Sequence, residues 1–306
     1  MSLLSLIAAL LLEHFRPLGN RNEFHLWFTR YVQYLERHFN AGKNVHGMIA
    51  WILAVLVPAI VVGVIFHLLH NLSTILALAW SAAVLYLTVG FRTTGNHAES
   101  ISASLRSEDY LAAKAALTQW SGRPAENFEP GDIARAGIER TLECSHRGLF
   151  GAIPWLVLLG PAGAVLYRLS QILAQKWGSL DQEEFGEFGK FAAQVFEWMD
   201  WVPLRLTALS FAVVGDFEDA VYCWRTQADT WMQQGMGIVL ASGAGALGVQ
   251  LGQPLRYEGT LEFRPDLGLG DEADADYLQS AVSLVWRAVV LWLALLLLLT
   301  IANWAG

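Results

Sequence analysis

The sequence predicts an all-α, polytopic integral membrane protein with broken or re-entrant helices and amphipathic interfacial helices, forming one domain over residues 1–306. Three observations predict this class. Of the 306 residues, 54% are hydrophobic and only 16% are charged, whereas about 25% of residues are charged in soluble domains. Several apolar runs are long enough to cross a bilayer. Prolines, glycines and arginines interrupt other apolar runs, where a simple membrane anchor requires none of them.

Three apolar runs predict membrane-spanning helices. Residues 48–69 are apolar except for His67, and at 1.5 Å per residue they extend about 33 Å, enough to cross the hydrocarbon core. Residues 72–91 follow after only His70-Asn71, so these two runs predict a helical hairpin. The third run is 284–305. We therefore expect a multi-pass chain whose main partner is the lipid bilayer.

Two segments near the N terminus predict helices associated with the membrane surface. Residues 2–12 are apolar but too short to cross easily, and they lack the basic region and cleavage site of a signal peptide. An uncleaved, shallow or tilted helix is expected there. Residues 22–40 place aromatic and basic side chains at a helical period, which is typical of a helix lying along the interface.

The distribution of charge predicts the orientation of the hairpin. Lysines and arginines are frequent in residues 16–43 and 92–147 but absent from the short connection inside the hairpin. The positive-inside rule therefore places both flanks in the cytoplasm and the hairpin tip outside a bacterial inner membrane. A net charge of −8 gives no reason to expect a nucleic-acid partner.

Residues 92–147 predict a polar helical segment. Ser107-Glu108-Asp109-Tyr110 is typical of a capped helix start, and Gly122-Arg123-Pro124 breaks that helix. Asp132 is expected to cap a second helix, which carries Glu139 and Glu143 on its polar side.

Residues 149–169 predict a broken element because Pro154 and Gly160-Pro161 interrupt it. Such an element either crosses the membrane or enters and returns, and the side of residues 170–282 depends on which occurs. Residues 253–280 are expected to form a polar linker.

Other patterns are weak evidence for cofactor sites. Gly243–Gly248 matches G-x-G-x-x-G, but no βαβ pattern surrounds it, so a small-residue packing helix is the better interpretation. The two cysteines suggest no disulfide, and the eight histidines do not cluster as metal ligands. No metal site is predicted from the residues alone.

Charged residues near apolar elements predict a pocket that binds phosphate or carboxylate through arginines. The alternative is that these side chains extend to the membrane interface. The neighbouring prolines favour the pocket for Arg168 and Arg205. For Arg123 the sequence favours neither the pocket nor the interface. His146 lies beside Arg147 and one turn after Glu143, so an acid and a base share a helix face unless this is simply a solvated helix end.

Several motifs resemble those of one known family. Asp200–Ala208 reads D-W-V-P-L-R-L-T-A, similar to the family's N-W-I-P-A-R-L-T-A. Further matches are Phe24-His25 and Leu35-Glu36-Arg37 before the hairpin, Gly122-Arg123 for G-R-D-T, Glu139 to Gly148 for E-x-x-x-E-N-x-S-D-G, and Tyr167-Arg168 for Y-R. With these motifs the chain resembles the CobD/CbiB family of cobalamin-pathway membrane proteins and its relative AmpE.

The resemblance implies an adenosylcobinamide-phosphate synthase, which joins a corrinoid carboxylate to an amino-alcohol phosphate as an amide and uses ATP. By analogy, the substrate-binding residues are His25, Arg123, His146, Arg168 and Arg205. The catalytic acids are Glu139, Glu143 and Glu197. Mg²⁺ and ATP are implied if the ligase activity is retained. The expected ligand is a phosphate-bearing or corrinoid small molecule, and a homo-oligomer is compatible with the sequence.

The chain also departs from the family pattern. Pro124-Ala125 replaces the family's D-T, and Cys144-Ser145-His146-Arg147 replaces its N-x-S-D. Most of the expected carboxylates are therefore absent, and Mg²⁺ needs oxygen ligands. The alternative prediction is an AmpE-like, non-catalytic membrane sensor or accessory protein in cell-wall or β-lactamase-regulation signalling, so the sequence leaves open whether the chain is an enzyme.

Overall fold

The computed structural model describes residues 2–15, 21–40, 42–90, 92–178, 186–257 and 260–305, except for the side chains of 2, 14, 21–27, 92–93, 234 and 303–305. The described chain is all-α apart from one short hairpin, which confirms the predicted all-α class. It divides into two compact units. The first comprises residues 1–90 and 148–203, and the second comprises residues 91–147 and 204–306.

The first unit is a helical assembly around an aromatic core. Its helices are α1 (Ser2–Phe15), α2 (Arg21–Phe39), α3 (Asn44–Trp51), a π-helical turn (Ile52–Leu56), α4 (Val57–Leu72), α5 (Thr74–Thr88), α9 (Ala152–Leu159), α10 (Pro161–Trp177) and the first part of α11 (Lys190–Val214). Trp177 packs edge-to-face on Phe188, with 4.9 Å between their ring centroids. Both side chains are fully buried. Burial of such large apolar surfaces is the main stabilising contribution in this unit.

Helices α9 and α10 are interrupted by one glycine. Gly160 has φ 64° and ψ −151°, a combination that side chains with a Cβ almost never adopt. Pro161 then begins α10, since its missing N–H is not needed in the first turn of a helix. Gly163 approaches the Trp155 carbonyl so closely that an added Cβ would lie 2.0 Å from that oxygen.

The D-W-V-P segment has its own hydrogen-bond partners in the first unit. Pro203 lies inside α11 and has no N–H, so the Met199 carbonyl loses its helical donor. The indole of Trp155 donates to that carbonyl, with 3.2 Å from Nε1 to the oxygen. The buried Tyr167 hydroxyl donates to Asp200 Oδ1 at 2.8 Å. These two hydrogen bonds give Pro203 and Asp200 a structural role in the packing of α9, α10 and α11.

The second unit contains the polar helices. These are α6 (Arg92–Arg106), α7 (Tyr110–Ser121), α8 (Pro130–Ser145), the rest of α11, α12 (Phe217–Gln227), a short 3₁₀ turn (Ala228–Thr230), α13 (Gln234–Leu247) and α14 (Ala275–Ala305). Asp109 caps α7 by accepting from the Ala112 N–H at 3.0 Å. The cap predicted at Asp132 is one turn too late, because Glu129 is the N-cap residue and Asp132 closes a capping box by accepting from its N–H.

The segment predicted as a linker, 253–280, contains ordered structure. Strand β1 (Leu255–Tyr257) pairs antiparallel with β2 (Thr260–Glu262), and α14 already begins at Ala275. Gly243–Gly248 belongs to α13 and its C-cap rather than to a βαβ unit. A Cβ on Gly245 would lie 2.4 Å from the Asp219 carbonyl, so the glycine serves helix packing, as the sequence predicts.

Within the described residues, two helical stretches are long and apolar enough to cross a membrane by length and composition. They are Asn44–Leu72, which includes the π-helical turn, and Ala275–Ala302. Helix α5 is also apolar but has only 15 residues. This confirms apolar helices of spanning length at two of the predicted positions.

Candidate functional site

A cavity of about 330 Å³ lies in the second unit, between α7, α8, the start of α13 and the segment that carries the β-hairpin. We call it the arginine cavity. Its charged lining consists of Arg123, Glu139, Arg140, Glu143, Glu262 and Arg264. Aromatic and apolar side chains complete the wall, among them Phe128, Trp231, Met236 and Tyr257. A concave, largely apolar pocket with a few convergent charged groups is typical of a small-molecule site.

Glu139 and Arg264 form a buried ion pair on one wall. Arg264 Nη1 donates to Glu139 Oε2 at 2.6 Å, and Nη2 donates to Oε1 at 3.1 Å. Their side chains are only 11% and 10% exposed. The Gly252 N–H donates to the same carboxylate at 2.9 Å, and Arg264 donates to the Gly252 carbonyl at 2.7 Å. This bidentate arrangement therefore fixes the segment after α13 to helix α8.

Glu143 lies between two arginines of its own helix and the turn that follows. Arg140 Nη1 donates to Glu143 Oε2 at 3.1 Å, and Arg147 forms an ion pair with Oε1. Burial disfavours the charged form of Arg140, but the neighbouring Cys144 and Glu143 outweigh it and raise the pKa of the guanidinium. Arg140 therefore stays cationic at the cavity wall, and its buried Nε has no hydrogen-bond partner.

Arg123 and Glu262 form a more exposed pair. Arg123 Nη2 donates to Glu262 Oε2 at 2.5 Å, and the two side chains are 52% and 31% exposed. The guanidinium lies 3.6 Å above the centroid of the Tyr257 ring, which itself packs edge-to-face on Phe128. Burial raises the pKa of the Tyr257 phenol. The ring therefore stays neutral and supports Arg123 through a cation–π contact.

The arrangement is poorly suited to holding Mg²⁺. Each of the three carboxylates lining the cavity already accepts from an arginine. Mg²⁺ requires several oxygen ligands in octahedral geometry, and the described residues contain no group of three His, Cys, Asp or Glu side chains that could hold a metal. The donor set of this cavity does not fit the Mg²⁺ that the resemblance implies, and we assign no step to a metal here.

Three residues predicted from the sequence meet in the cavity: Arg123, Glu139 and Glu143. Two others in the second unit do not line it. His146 is fully buried at the start of a second π-helical turn, His146–Phe150, and its Nδ1 lies 2.8 Å from Thr207 Oγ1. Arg205 is half-buried on α11. The catalytic and binding roles of all five stay predictions.

The remaining predicted residues belong to the first unit. Arg168 on α10 donates to the Gln171 side chain at 2.7 Å, and Glu197 is exposed on α11. The side chain of His25 lies outside the described part of the chain. The roles of these residues likewise stay predictions.

The cavity residues that the sequence did not predict include Arg140, Tyr257, Glu262 and Arg264. The last three lie in the segment predicted as a linker. A signal was present there, because L-R-Y and T-L-E-F-R alternate apolar and polar side chains at the period of a β-strand.

Comparison with known proteins identifies the family. The family model described as CobD/Cbib protein matches residues 6–285. The chain is 37% identical over 302 residues to "Cobalamin biosynthesis protein CobD" of Stutzerimonas stutzeri, covering 96% of both chains. It is 40% identical over 213 residues to the protein of that name from Chromobacterium violaceum, covering 70% of this chain and 68% of the relative. No solved structure matches. The chain therefore belongs to the CobD/CbiB family of cobalamin-biosynthesis proteins.

Proposed function

We propose that this chain acts in corrinoid assembly as an enzyme of the adenosylcobinamide-phosphate synthase type. The reaction joins a corrinoid carboxylate to the amine of an amino-alcohol phosphate, with ATP as the energy-supplying substrate. The observation that carries this proposal is the arginine cavity, where Arg123, Arg140 and Arg264 converge on a space of about 330 Å³. Family membership supplies the pathway, and the cavity supplies a candidate site for an anionic substrate.

The cavity residues suit the proposed substrates in charge and shape. Arginine binds phosphate and carboxylate through paired N–H donors, and it keeps its charge when partly buried. Trp231 and Tyr257 provide apolar faces beside Arg264 and Arg123. The cavity would thus hold a phosphate in fixed orientation while the rest of the substrate contacts aromatic and apolar side chains, which is the positioning that amide formation requires.

We also propose that the chain is a multi-pass protein of the bacterial inner membrane. In the most apolar 18 residues of Asn44–Leu72, only 28% is buried within the chain, and the corresponding share in Ala275–Ala302 is 33%. A core helix of a soluble protein would be mostly buried, so these helices have large apolar faces that need another apolar environment. Broken α9–α10 and the short α5 would complete the membrane region, with the hairpin tip near Asn71 outside.

The proposed activity is tested by complementation. The gene is expressed in a bacterium that lacks its own cobinamide-phosphate synthase and depends on cobyric acid for cobalamin. We expect growth with the wild-type chain and loss of growth with Arg123→Gln, since a binding cation is removed. Arg256→Gln is the matched control, because Arg256 is an exposed residue of the same hairpin and does not line the cavity. No growth with wild-type protein confirmed in the membrane would contradict the proposal.

One observation favours a second candidate, the AmpE-like accessory or sensor protein. All three carboxylates lining the arginine cavity accept from arginines, so none is left uncommitted for proton transfer or metal binding. A protein that only binds an anionic ligand would need no such group. Absence of complementation together with retained anion binding would support this candidate.

A further inference from the structure

Two ion pairs of the cavity differ in how easily a ligand can separate them. They are Glu139–Arg264 and Arg123–Glu262. Glu139–Arg264 is buried, bidentate and reinforced by Gly252. Arg123 and Glu262 are joined through one guanidinium nitrogen, and their side chains are 52% and 31% exposed. Exposed pairs contribute about 0 to 1 kcal/mol to stability. A ligand therefore opens Arg123–Glu262 at little cost, whereas Glu139–Arg264 stays closed.

The cavity carries matched opposite charges. Three arginines and three glutamates line it. A simple anion would gain from the arginines but would also meet the carboxylates, which repel it. A zwitterion with a phosphate at one end and an ammonium at the other has a partner for each end. The charge pattern thus favours a ligand with both groups over one with the phosphate alone.

We propose that Arg123 and Glu262 are the recognition pair for a zwitterionic amino-alcohol phosphate. The phosphate takes the place of Glu262 on Arg123, and the ammonium binds the Glu262 carboxylate that has been released. Tyr257 keeps the guanidinium in place during this exchange, because it stacks on Arg123 at 3.6 Å. This inference rests on the proposed function, and it assigns the small substrate rather than the corrinoid to the arginine cavity.

The volume of the cavity agrees with this assignment. About 330 Å³ lies at the lower end of the range for small-molecule pockets. It accommodates a phosphate monoester of two or three carbon atoms, whereas a corrin macrocycle with its side chains is far larger than ligands of that class. Within this cavity, Glu262 is the specificity-determining residue, because only a ligand that carries an ammonium group gains from its carboxylate.

The test is calorimetric binding of two probes, O-phosphoethanolamine and inorganic phosphate, to the full chain purified in detergent at low salt. Wild type should prefer O-phosphoethanolamine by about tenfold, the value of one additional charged hydrogen bond. Glu262→Gln should abolish that preference while binding inorganic phosphate at least as tightly as wild type, because the competing carboxylate is gone. Arg123→Gln should weaken both probes.

Controls separate recognition from a structural effect. Glu272→Gln removes an exposed carboxylate that does not line the cavity and should keep the wild-type preference. Glu262→Asp keeps the charge and should keep part of the preference. A purely structural role of Glu262 would weaken both probes together in Glu262→Gln.

Two results would overturn the inference. One is a preference for O-phosphoethanolamine that persists in Glu262→Gln, and the other is a wild-type chain that binds neither probe. Both are distinct from failure of the proposed function, since growth in the complementation assay does not depend on which cavity holds the small substrate.

Discussion

Glu139 and Glu262 are both paired with an arginine, yet burial gives the two ion pairs different energetic consequences. The Glu139 side chain is 11% exposed and the Glu262 side chain is 31% exposed. Removing one member of a buried pair leaves an uncompensated charge in a medium of low polarity, whereas water compensates for the loss at an exposed pair. At the scale of single residues, Glu139 therefore stabilises the fold through its buried pair with Arg264.

Glu139→Gln should destabilise the protein by about 3 kcal/mol, because Arg264 would be left without its carboxylate. Glu262→Gln is the matched control and should cost less than about 1 kcal/mol. The measurement is the thermal unfolding of both variants and wild type in the same detergent. Equal unfolding midpoints for Glu139→Gln and wild type would contradict the stabilising role. Glu139 would then be a candidate for catalysis only.

The sequence predicted part of this site for a physical reason. Glu139 and Glu143 lie on α8, so helical periodicity was enough to associate these two acids, and Arg123 lies in the connection between α7 and α8. Their partners from the hairpin segment were beyond prediction, because Arg264 meets Glu139 across 125 positions of sequence. Local periodicity carries no information about such a contact.

At the scale of elements, the interruption between α9 and α10 depends on the backbone of Gly160. Its φ of 64° and ψ of −151° belong to a region that is essentially restricted to glycine. Gly160→Ala should therefore destabilise the first unit by about 1 to 3 kcal/mol. Gly95→Ala is a suitable control, since a Cβ there meets no atom within 4 Å and alanine favours the helical α6.

Thermal unfolding in detergent distinguishes these two glycine variants. We expect a lower midpoint for Gly160→Ala and an unchanged or higher midpoint for Gly95→Ala. Equal midpoints would mean that the chain closes the α9–α10 turn in another way.

Helices and short strands differed in how well the sequence predicted them. The helices were predictable because apolar residues recur over many turns and because glycine and proline mark their ends. Strands β1 and β2 have only three residues each, which is too short for an alternating pattern to stand out from a polar segment. Their position depends on long-range contacts instead, among them the packing of the Tyr257 ring on Phe128.

At the scale of the whole molecule, the main question is what surrounds the exposed apolar helices. Val290 is 63% exposed at the middle of α14, and Val61 is 50% exposed on α4. Water would solvate such faces poorly, and contiguous apolar faces of this kind indicate a membrane or another protein. The relative that covers 96% of this chain includes most of the C-terminal helix in the matched region.

An arginine on this apolar face separates a lipid environment from an aqueous one. Val290→Arg should cost about 2.5 to 3.5 kcal/mol of insertion free energy if α14 crosses the bilayer, because the charge would lie near the membrane centre. In water the same change at an exposed position would alter stability by less than about 0.5 kcal/mol. Leu111→Arg is the control, since Leu111 is 83% exposed on the polar-segment helix α7. The measurement is the fraction of protein that stays in membranes after alkaline carbonate extraction. We expect that fraction to fall for Val290→Arg and not for Leu111→Arg, and an unchanged fraction for both variants would show that α14 faces water or protein instead of lipid.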